Sequence, residues 1–318
     1  MEGGEPRVKG GVLCSGSIVC DTLVYPAPDA PWGTTTVVET IEPHPGGNGA
    51  NTSLALAWLG TPVRLLGRVG SDEPGRFLLD ALRRAGVDTA AVEVAHGATA
   101  ATIALVNASG ERRFYHRMGV AAGAFAAPIE FSPAHTAGMS IYHLSSPFIL
   151  PLLRVQLAGT LARARAAGLR TSLDTNWDSL GRWMADIGPC LPHLDMVFLN
   201  EDEARMVTGH TDPRSAAGVL LAGGARMAIL KLGARGCAVY TQGREFHSPA
   251  FEVEARDTTG AGDCFAGGFL SALLDGAEPE EAARFANAAG ALSVQHVGGA
   301  AGLAGGVDIH GWIKSRGV

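Results

Sequence analysis

The sequence predicts an α/β fold in which a central, mostly parallel sheet is covered by helices on both faces. Two patterns carry that expectation. From Met139 onward, short apolar strands alternate with helical stretches, the order that builds a parallel sheet. Twice, at His44–Asn51 and at Asp257–Asp263, a glycine-bearing turn opens into a helix of small apolar residues, which gathers backbone N–H groups and the positive end of a helix dipole around one point. A length of 318 residues with 47% hydrophobic content supplies a sizeable core, enough for one large domain or two smaller ones.

In chain order, residues 1–10 hold acidic groups and no long apolar run, and read as a flexible leader before a single domain spanning 11–318. Gly11–Val19 is an apolar, β-branched run that predicts a buried strand ending at Cys20–Asp21. Asp21 then sits at a strand's carboxyl end, where open α/β sheets bind ligands and a carboxylate can accept from two hydroxyls. Thr34–Ile41 predicts a strand feeding the first glycine turn, and Thr52–Leu59 a helix stopped by Gly60 and Pro62. Val63–Val69 reads as a strand and Pro74–Ala85 as a helix. Thr99–Asn107 and Arg112–Arg117 predict a hairpin around 108–111, with Arg113, Tyr115 and Arg117 on one face toward solvent, substrate or a partner.

The alternating half predicts strands at Met139–Leu144, Arg170–Leu173 and Met196–Leu199, with helices at Leu150–Ala167, around Leu180–Ile187 and at Glu201–Val207. Strands at Met227–Leu232 and Cys237–Tyr240 flank a Gly233–Gly236 turn. Pro279–Val297 is helical, 298–306 is a glycine-rich loop, and Val307–Lys314 closes the chain as a helix.

Asp263 is the first candidate for chemistry. A carboxylate in an anion-binding turn repels phosphate, so the pairing makes sense where it must take a proton beside a transferring group, with the Gly260, Ala261 and Gly262 amides holding phosphoryl charge. A simple helix-capping turn uses the same letters. Asn51, after Gly46 and Gly47, offers a donor and an acceptor for hydroxyls. Asn200 and Glu203, three apart at a helix start, can hold a hydrated Mg²⁺ or form an ordinary N-cap. Lys231 and Arg235 can approach a phosphate or remain solvated. Small residues around Asn287 let a flat ring approach that helix, and also suit buried packing.

The string Asp257-Thr258-Thr259-Gly260-Ala261-Gly262-Asp263 resembles the C-terminal signature of the ribokinase (PfkB-type) carbohydrate kinase family. Gly46-Gly47-Asn48-Gly49-Ala50-Asn51 matches its N-terminal Gly-Gly-x-Gly-x-Asn signature, and the resemblance runs from about residue 11 to the end. It implies a ribokinase-like fold with a small β lid drawn from about 22–44 and 98–118, paired in a homodimer. It also implies phosphoryl transfer from ATP to a sugar hydroxyl, with Asp263 as base and Asp21, Gly46, Gly47 and Asn51 orienting the sugar. Asn200, Lys231, Gly233, Gly236 and Asn287 fall on the nucleotide side, Glu203 on Mg²⁺ through water, and Asp257 near a monovalent cation such as K⁺.

Departures from the family pattern bear on the substrate. Asn48 stands where ribokinases carry Lys, Ser145 where they carry Glu, and Asp178 where kinases of 2-keto-3-deoxygluconate and of fructose commonly carry Arg; Gly302 replaces a side chain that sometimes assists the cation. An acidic sugar would need Arg113, Arg117 or Arg182 to supply its counter-charge. A nucleoside kinase and a non-catalytic sugar or nucleotide sensor are the rival readings.

Composition narrows the field further. With 25 basic against 31 acidic residues the net charge is −6, which argues against nucleic acid as a main partner. No apolar run predicts a membrane span, and five cysteines without a Cys-x-x-Cys pair fit a reducing cytoplasm better than a disulfide framework or zinc site. Neither glycine turn is a Walker A or Rossmann motif.

Overall fold

The computed structural model describes residues 10–108 and 111–316; most of the expected leader, and positions 109 and 110 of the expected hairpin turn, lie outside the described residues. In chain order the strands are β1 (Gly11–Ser15), β2 (Val19–Tyr25), β3 (Thr40–Gly46), β4 (Val63–Gly70), β5 (Val92–Ala95), β6 (Ala101–Val106) and β7 (Arg112–Arg117). They continue with β8 (Met139–Ser145), β9 (Arg170–Asp174), β10 (Met196–Asn200), β11 (Met227–Lys231), β12 (Cys237–Thr241) and β13 (Arg244–Ser248).

Nine strands form the large sheet in the order β13-β12-β11-β10-β9-β8-β1-β4-β5, parallel except where β12 and β13 turn back as antiparallel strands. Helices cover both faces, and two apolar cores lie between sheet and helices, one around Phe198, Phe269 and Leu56, the other around Tyr142, Leu144 and Leu161. Central strands buried on both faces need continuous apolar runs, and Val12, Leu13 and Cys14 are all fully buried. Helix Ala261–Leu274 lies between helices Asn48–Trp58 and Pro279–Ser293. A methyl added at Gly267 would stand 3.0 Å from Ala55 Cβ, and one at Gly268 2.9 Å from Ala289 Cβ, so small residues set the close spacing of these helices. No helix among the described residues is long and apolar enough to cross a membrane.

The second sheet, β3-β2-β6-β7, is the lid, with β2 parallel to β6 and antiparallel pairs at both edges. It corrects two sequence expectations. The run Gly11–Val19 is broken at Gly16, where an added methyl would lie 2.8 Å from Gly49 Cα, and the chain crosses there from the large sheet to the lid. Asp21 therefore lies within β2, not at a strand's carboxyl end. The strand expected at Thr34–Ile41 instead spans Thr40–Gly46, through what reads as a turn. Pro43 and Pro45 are tolerated because β3 is an edge strand, paired only with β2.

Helical bounds also shift. The expected Leu150–Ala167 helix splits into Pro151–Arg154 and Leu157–Ala166, because Gln156 leaves helical geometry (φ −129°, ψ 16°) and its side chain bonds Phe125 O and Leu152 O. Only Met184–Ile187 of the expected Leu180–Ile187 segment is helical; upstream, the Asp178 carboxylate gathers the N–H groups of Leu180, Arg182 and Trp183 into a turn and pairs with Arg154. The first glycine turn enters its helix at Asn48, earlier than Thr52, and the Asn287 helix stops at Ser293. Helix Pro213–Ala222 escaped the sequence reading although Asp212-Pro213 is a standard start, with Asp212 accepting from Ser215 N.

Candidate active site

The carboxyl ends of β8, β9, β10 and β11 deliver Ser145, Asp174, Asn200 and Lys231 to one edge of the large sheet, and the turn before helix Ala261–Leu274 packs against that edge. Asp263, in the helix's first turn, is only 4% exposed. Its Oδ1 accepts from Asn48 Nδ2 and its Oδ2 from Asn51 Nδ2, each at 2.9 Å. Burial pushes its carboxyl up; the Asn51 and Asn48 hydrogen bonds and the Lys231 ammonium draw it down, Glu203 opposes them, and the net shift is upward. Such a group is a stronger base than an ordinary aspartate while still ionisable.

Asn48 is itself held. Ser146 donates to Asn48 Oδ1 at 2.8 Å, Ser17 Oγ lies 3.0 Å from Ser146 Oγ, and Asn48 N donates back to Ser17 Oγ at 3.1 Å. Ser146 sits at φ 58°, rare for a non-glycine residue outside functional sites. Thus Ser146, not Ser145, meets the site; Ser145 points back to Ser15 O.

Gly260 caps the helix at φ 73°, and a methyl there would stand 2.7 Å from Gly299 Cα, so both its conformation and its space exclude a side chain. The Ala261 N–H turns back to Thr258 O at 3.3 Å, so the donors best placed for an anion belong to Gly262 and Asp263. Lys231 approaches from β11: its Nζ would lie 3.1 Å from a Cβ built on Gly262. It pairs with Asp174 at 2.6 Å, both partners largely buried. Burial alone would lower the lysine, but Asp174, Glu203 and Asp263 outweigh it and raise it; burial raises Asp174 in turn, against the pull of Lys231. Arg235 is bound instead to Glu201 on the surface.

Two cavities flank this turn. The larger, about 680 Å³, is lined by Lys231, Gly233, Gly236, Thr258, Ala261, Gly262, Phe265 and Asn287 and is mostly apolar. Gly236, at φ 91°, lets the β11–β12 turn lie against Ser248 O. Asn287 reaches the cavity but commits its Nδ2 to Ser248 O, Ser248 Oγ and Pro249 O, so it first of all fixes the cavity wall. The smaller, about 170 Å³, lies under the lid among Asp21, His44, Thr102, Phe114, Asp257, Thr259, Gly298 and Gly299. Gly46 lies against Asp21, for an added methyl would fall 1.9 Å from Asp21 Oδ2, and Gly47 caps the Asn48–Trp58 helix. Burial, with Asp257 and Asp263 adding and Thr102 opposing, pushes Asp21 up to about 6.

Asn200 and Glu203 form a reciprocal capping box at the end of β10: Asn200 Oδ1 accepts from Glu203 N at 2.8 Å and Glu203 Oε2 from Asn200 N at 3.0 Å. Glu203 is buried and also accepts from Thr175 Oγ1 at 2.8 Å. Among the described residues no three His, Cys, Asp or Glu side chains gather as a metal cage. Glu203 lines neither cavity but acts electrostatically on Lys231, which lines the larger one; a single buried carboxylate fits Mg²⁺ where most of the ion's ligands are water. Asp257 accepts from Thr259 N and Gly298 N and lines the smaller cavity.

Strand parity settles the orientation of the basic lid face. Asp21, His44, Thr102 and Phe114 face the small cavity, whereas Arg113 and Tyr115 line a separate groove with Asp29 and Trp32 on the opposite face. The sequence reading missed His44, Ser146 and Thr102 as site residues and gave Asp174 no role. The signal for His44 was its place two residues before the glycine pair.

A nine-stranded α/β sheet with a four-stranded lid, and a buried aspartate at a glycine-capped helix between two cavities, defines a phosphoryl-transfer class of site. The pfkB family carbohydrate kinase model matches residues 11–304, and the chain belongs to that family of sugar kinases. It is 31% identical over 269 residues to fructokinase-1 of Oryza sativa subsp. japonica, covering 80% of this chain and 83% of that one. It is 33% identical over 265 residues to an ATP-dependent ribose-1-phosphate kinase of Halopiger xanaduensis, covering 80% and 81%. A solved chain from E. coli, provisionally named ribokinase II and in complex with ATP and Mg²⁺, superposes with a TM-score of 0.83 at 23% identity, covering 96% of this chain and 99% of that one.

Proposed function

We propose that the protein transfers the γ-phosphoryl group of ATP to a hydroxyl of a sugar bound under the lid, with Asp263 accepting the hydroxyl proton. The carrying observation is the place of Asp263, fixed by Asn48 and Asn51 beside the turn that separates the two cavities. As the acceptor oxygen bonds to phosphorus and the bond to ADP breaks, negative charge on the transferring group is met by Lys231 and by the Gly262 and Asp263 N–H groups at the helix start of the Gly260–Gly262 turn. The expected Ala261 amide is instead turned back to Thr258 O. Asp21, Gly46, Gly47 and Asn51 shape the acceptor side. Lys231, Gly233, Gly236, Asn200 and Asn287 shape the nucleotide side, its apolar wall suiting an adenine.

Mg²⁺ would be held near Glu203 through water and would neutralise phosphate charge. A monovalent cation near Asp257 belongs to the same reading and is tested by exchanging K⁺ for choline in the assay. The domain is taken as 11–318 and cytoplasmic, dimerising through the outer lid face.

Mg-ATP turnover against a panel of sugars and nucleosides tests the reaction, run beside Asp263→Asn. The variant should lose about 10²–10⁴-fold in kcat while an ATP analogue still stabilises it against heat. Equal turnover in the two proteins would remove Asp263 from the chemistry.

A further inference from the structure

The inner face of the lid carries a polar row with no part in the phosphoryl chemistry. Direct strand pairing puts His44 beside Asp21, Asp21 beside Thr102, and Thr102 beside His116, so the four side chains share one face. Thr102 stands at the centre of the row: it is paired in register with Asp21, whose carboxyl it draws down, and its hydroxyl lies 3.0 Å from His116 Nδ1. His44 lines the cavity, and its Nε2 is buried with no hydrogen bond; Glu42 Oε2, at 3.8 Å, is beyond hydrogen-bond reach. A buried polar nitrogen left without a partner is costly; the ring's other nitrogen, Nδ1, would lie 2.8 Å from a Cβ built on the cavity-lining Gly298, so a turn of the ring would bring a nitrogen to a ligand in the cavity.

Charge limits what that ligand can be. The cavity's polar lining is Asp21, His44, Thr102, Asp257 and Thr259, with no lysine or arginine among them. Of the cations that could serve an acid, Arg182 and Lys231 are paired with Asp186 and Asp174, Arg113 lies 3.8 Å from Asp29 on the opposite lid face, and Arg117 donates to Thr99 O. The negative charges of Asp257 and Asp263 already oppose ionisation of buried Asp21.

Building on the kinase reading, we propose that the acceptor is a polyhydroxylated molecule without a fixed negative charge, and that His44 and Asp21 together read its neighbouring hydroxyls. Asp21 accepts from them, and the His44 ring supplies the second contact that sets specificity. A phosphate or carboxylate on the acceptor would add an anion to a site already holding carboxylates, a juxtaposition costly enough for ~100-fold discrimination or more.

The test measures ADP formation from Mg-ATP with fructose, ribose, ribose 1-phosphate and gluconate, using the full chain and its His44→Ala and His44→Gln variants. A neutral sugar should be turned over at least ~100-fold more efficiently than either anion. His44→Ala should raise the KM of that sugar about 3–10-fold, the worth of one hydrogen bond, with the KM for ATP unmoved and His44→Gln partly restored. A histidine needed only for folding would shift both constants or neither. Preferred turnover of ribose 1-phosphate or gluconate, or an unmoved sugar KM in His44→Ala, overturns the inference and leaves the kinase reading standing. Silence with neutral and anionic acceptors alike counts against the kinase reading itself, and the inference falls with it.

Discussion

Asn48 donates its side-chain N–H to Asp263 Oδ1 at 2.9 Å across 215 residues of sequence, from the start of one helix to the first turn of another. Asn51 holds the other oxygen, so the carboxylate plane is fixed before any substrate arrives. Because these bonds favour the ionised form against burial, removing one raises the Asp263 pKa further. The base works deprotonated, so Asn48→Ala should move the acid limb of the kcat/KM profile to higher pH. Turnover should fall about 10–100-fold, the scale of a hydrogen bond to a charged group. Ser146→Gly, which keeps the positive φ but removes the hydroxyl behind Asn48, should move the limb less in the same direction. A drop in turnover with an unmoved acid limb would make Asn48 only a packing residue.

Lys231 is bound to Asp174 at 2.6 Å and stands beside Gly262, so one cation faces a buried carboxylate and the glycine turn together. Lys231→Met leaves Asp174 buried and unpaired and should cost roughly 3–5 kcal/mol of stability along with turnover. Adding Asp174→Asn should return most of the stability, read as Tm, without returning kcat. Recovery of both would mean the lysine acts only through the fold. Because the lysine's pKa is raised, its stabilising effect is complete at neutral pH and is lost only as pH climbs past the ordinary lysine value into and through the raised one.

Much of this arrangement is legible in the sequence, and what is not has identifiable causes. Strand–helix alternation from Met139 reports the parallel sheet because buried strands and amphipathic helices have different periods. The two glycine turns report the paired helices of the candidate site because few other residues permit a turn like that at Gly260. The break at Gly16 is hidden, since a run of buried apolar residues reads alike whether it stays in one sheet or passes to another. β3 is hidden because two prolines argue against a strand unless its edge position is known. Pairings such as Asn48 with Asp263 or His44 with Asp21 depend on register and helix packing that no local pattern contains.

Gly46 sits against Asp21 on the proposed acceptor side, so a change there tells the acceptor's binding apart from that of ATP. A methyl at this position would fall 1.9 Å from Asp21 Oδ2, and since Gly46 does not need a positive φ, the main effect of Gly46→Ala is to displace that carboxylate. The KM for the acceptor should rise about 10-fold or more, equivalent to the loss of a hydrogen bond or two, while the KM for ATP stays within about 2-fold. Equal rises in both constants would place the disturbance in the shared turn instead.

The outer face of the lid exposes Ile41, Ile103 and Tyr115 at 65%, 46% and 55% of their surface, with Trp32 and Val37 beyond them almost wholly exposed. Ile103 pairs directly with Tyr115, and parity sets both on the face away from the small cavity, so the apolar stripe is not part of that cavity's lining. A second copy of the lid is the partner that would bury the same stripe on both sides. Ile103→Asp puts an unpaired charge in the centre of that contact. At interface hot-spot costs of about 2 kcal/mol or more, dimer affinity should weaken by at least ~30-fold. Sedimentation velocity across a concentration series should then show the wild type as a dimer and the variant as a monomer at low micromolar concentration. The monomer's Tm should change little, because the replaced side chain is already half exposed. A wild type that sediments as a monomer throughout would remove the lid contact, and a variant that stays dimeric would move the interface to another face.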